Sequence, residues 1–114
     1  MLIYHIVLPE VWEKFKNEKF YEAESLQSES FIHCSFAEQI ETVLRRYYKN
    51  AERVLILHIE PELLAAKLIQ ESSTNDEIYP HIYGKINVEA IVEIEERKFT
   101  GMKGIEGINT DDLN

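Results

Sequence analysis

One cysteine, Cys34, is all the chain contains. It cannot form an internal disulfide and cannot by itself supply a zinc site, which agrees with a reducing compartment. Positive charge is also scarce: 12 Lys and Arg stand against 21 Asp and Glu, a formal charge of -9 that opposes binding to nucleic-acid backbones and anionic membranes. No apolar run approaches the roughly 20 residues that span a bilayer. The start, Leu2-Ile3-Tyr4-His5, has no basic n-region, so a cytoplasmic location is expected. There is no internal repeat. No His-x-His or His-Glu-x-x-His pair occurs, so no metal is expected.

What the chain does have is enough apolar material for one core. At 114 residues and 45% hydrophobic it is too short for two ordinary domains. A single domain is expected over residues 1–99. The tail over 100–114, with Gly101, Gly104, Gly107 and Asp111-Asp112, reads as loosely held or disordered.

The pattern along the chain is α+β. Leu2 to Leu8 is strand-like, and Pro9 suits the first turn of a helix carrying Val11, Trp12 and Phe15. Phe20 to Ser30 reads as a polar loop leading into a strand over Phe31 to Cys34. Ser35 with Glu38 three residues on has the form of a capping box, opening a helix to about Lys49 with Phe36, Ile40, Val43, Leu44 and Tyr47 on one face. Val54 to Ile59 reads as a central strand buried on both faces, and Pro61 opens a short helical turn. Lys67 to Glu71 reads as a further strand, followed by a turn-rich stretch over Ser72 to Asp76. Val88, Ala90, Val92 and Ile94 alternate with other residues as in a half-buried strand.

Three of the four histidines lie in short apolar settings: Tyr4-His5-Ile6, Phe31-Ile32-His33-Cys34-Ser35 and Pro80-His81-Ile82-Tyr83-Gly84. A buried imidazole needs a hydrogen-bond partner or a cavity, so these three predict one shared concave site. Residues two apart on a strand share a face. His5 is therefore expected beside Ile3 and Val7, His33 beside Phe31 and Ser35, and His81 beside Tyr83, while Cys34 points with Ile32 into the core. Gly84 permits close backbone approach or a sharp turn. His58, within the central strand beside Glu60, reads as structural.

The strings Ile3-Tyr4-His5-Ile6, Phe31-Ile32-His33-Cys34-Ser35 and Pro80-His81-Ile82-Tyr83-Gly84, with Trp12, Tyr21 to Leu26 and Gln39 between them, resemble the DUF952 family of small bacterial proteins. That family is similar in fold to the ADP-ribosyltransferases and RNA 2′-phosphotransferases. The resemblance implies an ADP-ribosyltransferase-like domain, with two small sheets and flanking helices around a cleft that takes NAD or another nucleotide-phosphate ligand. Fold alone does not transmit chemistry. On the residues, His33 and His81 are the candidate catalytic groups, and His5, Ser35 and Tyr83 the candidate ligand contacts. Ser35 is claimed first as a helix cap, which makes it a poor nucleophile.

Many ADP-ribosyltransferases carry a third-motif glutamate, whereas the corresponding region here reads His81-Ile82-Tyr83, with Glu77 in the polar loop. Imidazoles near neutral pH still permit acid-base chemistry. Two readings follow. One is a transferase with ADP-ribosyl or 2′-phosphate chemistry. The other is a ligand-binding or regulatory module without catalysis.

Overall fold

The computed structural model describes residues 1–73 and 76–99. The expectation for the tail lies outside these. In chain order the elements are β1 (Ile3–Val7), α1 (Pro9–Trp12), β2 (Phe20–Tyr21), α2 (Glu24–Glu29), β3 (Ile32–His33), α3 (Ile40–Tyr47), β4 (Arg53–Ile59), β5 (Lys67–Ser72), β6 (Ile78–Tyr83), β7 (Ile86–Asn87) and β8 (Ile91–Lys98). Short 3₁₀ turns cover Ala37–Gln39, Pro61–Leu63 and Val88–Ala90.

Among the described residues the strands form three small antiparallel sheets, β1-β4-β8, β2-β7 and β3-β6-β5, where two were expected. β4 is the central strand of its sheet, and its buried Val54, Ile56, Leu57 and Ile59 explain the continuous apolar run. Its two faces serve two cores. Leu57 and Ile59 pack with Ile3, Val7, Trp12, Tyr21, Ile32, Ile82 and Ile86, while Val54 and Ile56 pack with Ile6, Ile40, Leu44 and Phe99.

Four local expectations change. Residues 20 to 30 are not a loop: Phe20–Tyr21 pairs with Ile86–Asn87, and Glu24–Glu29 is a helix. That helix ends at Ser30, whose φ of 78° is left-handed, turning the chain into β3.

Ser35 does not cap α3. Its backbone is bridged to Tyr4, with Tyr4 N–H donating to Ser35 O at 2.9 Å and Ser35 N–H to Tyr4 O at 2.7 Å. The chain therefore stays extended through Phe36. The first turn is secured instead by Gln39, whose side-chain oxygen accepts the Phe36 N–H at 2.9 Å while its amide donates to Ile78 O at 2.8 Å. Helix α3 is correspondingly shorter than expected, and Tyr47 is exposed rather than on the buried face with Ile40 and Leu44.

The alternation over Val88 to Ile94 predicts burial only in its first half: Ala90 is buried and Val88 packs against the core, but Val92 and Ile94 are exposed. Val88–Ala90 is a 3₁₀ turn, and Val92 is an extra residue, because Ile59 pairs with Ile91 but His58 pairs with Glu93. The bulge leaves Val92 unpaired and brings Ile94 opposite Leu57. Val92 and Ile94 are left exposed on an edge strand.

Gly84 does allow a close approach. A Cβ added there would lie 2.7 Å from the Ala66 Cβ, so the end of β6 packs against the segment entering β5 at a distance a side chain would not permit.

Candidate functional site

Sheet β3-β6-β5 has one face in the core and one facing out, and its register decides which residues meet. Ile32, Ile82 and Leu68 lie in one row, and all three pack in the core. The neighbouring row, His33, His81 and Ile69, must point the other way. Phe31 and Tyr83, two residues from His33 and His81, fall on the same outer face. Strand periodicity thus accounts for the meeting of Phe31, His33, His81 and Tyr83.

The geometry of this face is specific. The His33 and His81 rings stand edge to face with centroids 5.4 Å apart. Phe31 stacks on His81 at 4.1 Å and 19°, and meets the His33 ring edge-on at 4.8 Å. Glu71, from the end of β5, takes hydrogen bonds from His81 and Tyr83. Its Oε1 is 2.6 Å from His81 Nδ1 and accepts the Tyr83 hydroxyl at 2.7 Å, while the same hydroxyl lies 2.9 Å from Oε2. An ionised carboxylate only accepts, so His81 Nδ1 carries the proton. In the neutral ring this leaves Nε2 as the proton-accepting nitrogen.

Those hydrogen bonds, His81 first and Tyr83 second, hold the Glu71 carboxyl below the usual carboxylate range. The same contact pushes the Tyr83 phenol up. His33 has its own carboxylate, Glu29, with Nε2 to Oε1 at 3.1 Å. The two histidines differ sharply in access: His81 is 5% exposed, whereas the His33 side chain is 54% exposed.

His5 does not line this face. It shares its own face with Ile3 and Val7, but that face is the core, and the ring is 6% exposed. Both nitrogens are occupied: Nδ1–H donates to the His33 carbonyl at 2.6 Å, and Nε2 accepts the Tyr21 hydroxyl at 2.8 Å. Burial lowers its pKa from 6.5 to about 4. His5 thus braces the His33 backbone from inside, and it departs from the expectation of three histidines on one concave surface. Ser35 is likewise buried, beside Tyr4 in the bridge. Cys34 is buried, which pushes its thiol pKa up. His58 lies on the other sheet, with Nε2 at 3.0 Å from Glu95 Oε1.

Glu71 and Glu29 are not among the site residues expected from the sequence. Glu71 had a signal: pairing the apolar strand before the turn with Ile78–Tyr83 as a hairpin puts Glu71 opposite Tyr79, on the face of His81. Glu29 had none, because its approach to His33 depends on the helix hidden in residues 24 to 29. Two depressions of about 520 and 550 Å³ are lined by other residues, one around Leu8, Tyr47 and Tyr48 and one around Lys14, Phe15 and Phe20. Among the described residues, no group of three or more His, Cys, Asp or Glu side chains is placed to hold a metal ion. No helix among them is long and apolar enough to cross a membrane.

Fold and site together define a small single-domain α+β protein of three antiparallel sheets that presents a His-Glu-Tyr cluster on an outer sheet face. The chain belongs to the DUF952 family, described as "Protein of unknown function (DUF952)", whose profile matches residues 6–94. It is similar to the X-ray crystal structure of protein CC0527 from Caulobacter crescentus, at 25% identity and a TM-score of 0.76, covering 84% of this chain and 85% of that one. The solution NMR structure of CC0527 is similar at 28% identity and a TM-score of 0.66, covering 85% and 83%. No curated protein matches the chain.

Proposed function

We propose that the outer face of β3-β6-β5 is a binding site for a phosphate-bearing nucleotide, NAD included, in which His33 and His81 contact the ligand. The observation that carries this reading is the Glu71-His81-Tyr83 arrangement. A carboxylate 2.6 Å from Nδ1 fixes the His81 tautomer and orients Nε2, and it stabilises the imidazolium if that nitrogen takes up a proton. His33, the more exposed ring 5.4 Å away, is the natural first contact for an anion arriving from solvent. Two imidazoles side by side can serve as a donor to one ligand oxygen and an acceptor from another. This is the minimum for acid-base chemistry on a phosphate ester or a glycosidic bond.

The ADP-ribosyltransferase-like assignment belongs to this proposal. Glu71 supplies from β5 the carboxylate that the His81-Ile82-Tyr83 segment lacks, so transfer of ADP-ribose or removal of a 2′-phosphate is the chemistry to test. Incubation with NAD should release nicotinamide, or a 2′-phosphorylated oligonucleotide should release phosphate. Glu71→Gln should slow that reaction and alter its pH profile, because the amide cannot stabilise an imidazolium as a carboxylate does.

A second reading is favoured by a specific observation. Both Glu71 oxygens are already engaged and Phe31 covers His81, as expected of a non-catalytic ligand-binding or regulatory module whose polar groups are satisfied at rest. Binding with no product from either substrate would support that module; product release that depends on both His33 and His81 would exclude it.

A further inference from the structure

The depression of about 550 Å³ between the segment after α1 and the β2-β7 sheet gathers a set of side chains that the histidine face does not use. Three lysines, Lys14, Lys19 and Lys85, line it with two glutamates, Glu18 and Glu22, so the lining is net positive on a chain of formal charge -9. Lys85 is only loosely held, its Nζ 3.9 Å from Glu22 Oε1. Phe15 and Phe20 line the depression as well.

Strand alternation explains why Phe20 is available. Its neighbour Tyr21 turns inward to His5, so Phe20 turns outward and is 46% exposed, although its strand is pinned by pairing with Asn87. Phe15 stands edge-on to Tyr21 at 5.2 Å, which fixes the other aromatic wall from behind. An exposed phenyl alone needs no explanation. A phenyl in a depression of ligand size that a second aromatic and three lysines also line, on an acidic protein, has the two features that recognise a ring and a charge together.

We propose that this depression is a binding site for a small aromatic anion, a planar ring bearing a phosphate, with the ring against Phe20 and the phosphate among Lys14, Lys19 and Lys85. A purine mononucleotide has this chemistry. The lysines are point charges on flexible stems, which suits a phosphate approached from solvent rather than one gripped in fixed geometry. The site is separate from the His33-His81 face and stands whether or not that face binds a nucleotide.

The test is an amide-resolved NMR titration of the full chain with AMP, adenosine and inorganic phosphate in parallel. AMP should shift the Lys19, Phe20 and Lys85 amides saturably, and more tightly than either half-ligand. Phe20→Ala and Lys85→Glu should each weaken that response by about fivefold, the scale of one stacking or one solvent-screened charge contact. Any response of the Ile32 to Cys34 amides should persist in both variants, which separates this site from the histidine face. Lys19, Phe20 and Lys85 amides that AMP leaves unmoved, or variants that bind AMP there as tightly as the parent, would overturn the proposal.

Discussion

The His5 ring sits between the Tyr21 hydroxyl and the His33 carbonyl with no water-facing edge, and burial brings its pKa to about 4. In the unfolded chain the same ring takes a proton near pH 6.5. The unfolded state therefore binds the proton more readily. Stability from His5 is fully present above pH 6.5 and is lost as pH falls toward 4, in total about 3 kcal/mol. Glu71 has the same sign in a lower window. Its carboxyl is held down by His81 and then Tyr83, so its contribution is present above the ordinary carboxylate range and fades only below it. Denaturant unfolding at a series of pH values should show stability declining from about pH 6.5, and His5→Gln should flatten the upper part of that decline. A curve unchanged by the substitution would show that His5 is not the titrating group. Ser30 offers a second check. A left-handed φ of 78° costs a side chain about 1 kcal/mol, so Ser30→Gly should raise the unfolding midpoint by about 0.5 to 1 kcal/mol of stability.

At the scale of elements, the start of α3 separates two accounts of the same residues. Gln39 holds the Phe36 N–H and the Ile78 carbonyl, joining the helix entry to β6. Gln39→Ala should cost about 1 kcal/mol through the lost cap, whereas Ser35→Ala should leave the helix start intact because no side-chain cap comes from Ser35. Thermal melts of the two variants decide it: the larger loss in Ser35→Ala would reverse the assignment. The helix was legible because Ile40 and Leu44 repeat at helical spacing, but its first residue was not, because the bridge from Ser35 to Tyr4 is a contact between distant segments. The central strand and the strand carrying His81 were legible from their apolar runs for the same local reason. The burial of β8 was not legible because it is an edge strand, on which Val92 at the bulge and Ile94, although paired with buried Leu57, are left exposed, and short β2 and α2 were invisible because neither has enough apolar periodicity of its own.

For the molecule as a whole, the α+β domain followed from pattern, and the DUF952 resemblance from three strings that each hold a histidine. Strand parity put His33 with Phe31 and His81 with Tyr83, and the β3-β6 register joins the two pairs. What parity does not contain is which face of a strand meets the core, and that is why His5 fell in the core while His33 and His81 fell on the opposite face of their sheet, His33 exposed and His81 covered by Phe31. Glu71 completes the face only through the β5-β6 register, a long-range fact. The proposed binding of a nucleotide phosphate on this outer face rests on His33 and His81. Calorimetric titration of the parent, His33→Ala and His81→Ala with NAD, with amide shifts mapped on the parent, tests it most directly. The account predicts shifts at Ile32 to Cys34 and at His81 to Tyr83, and affinity more than tenfold weaker in each variant, since a lost hydrogen bond to a charged ligand costs about 1.5 to 3 kcal/mol. No shift at these residues with NAD at millimolar concentration, or equal affinity in all three proteins, would contradict it.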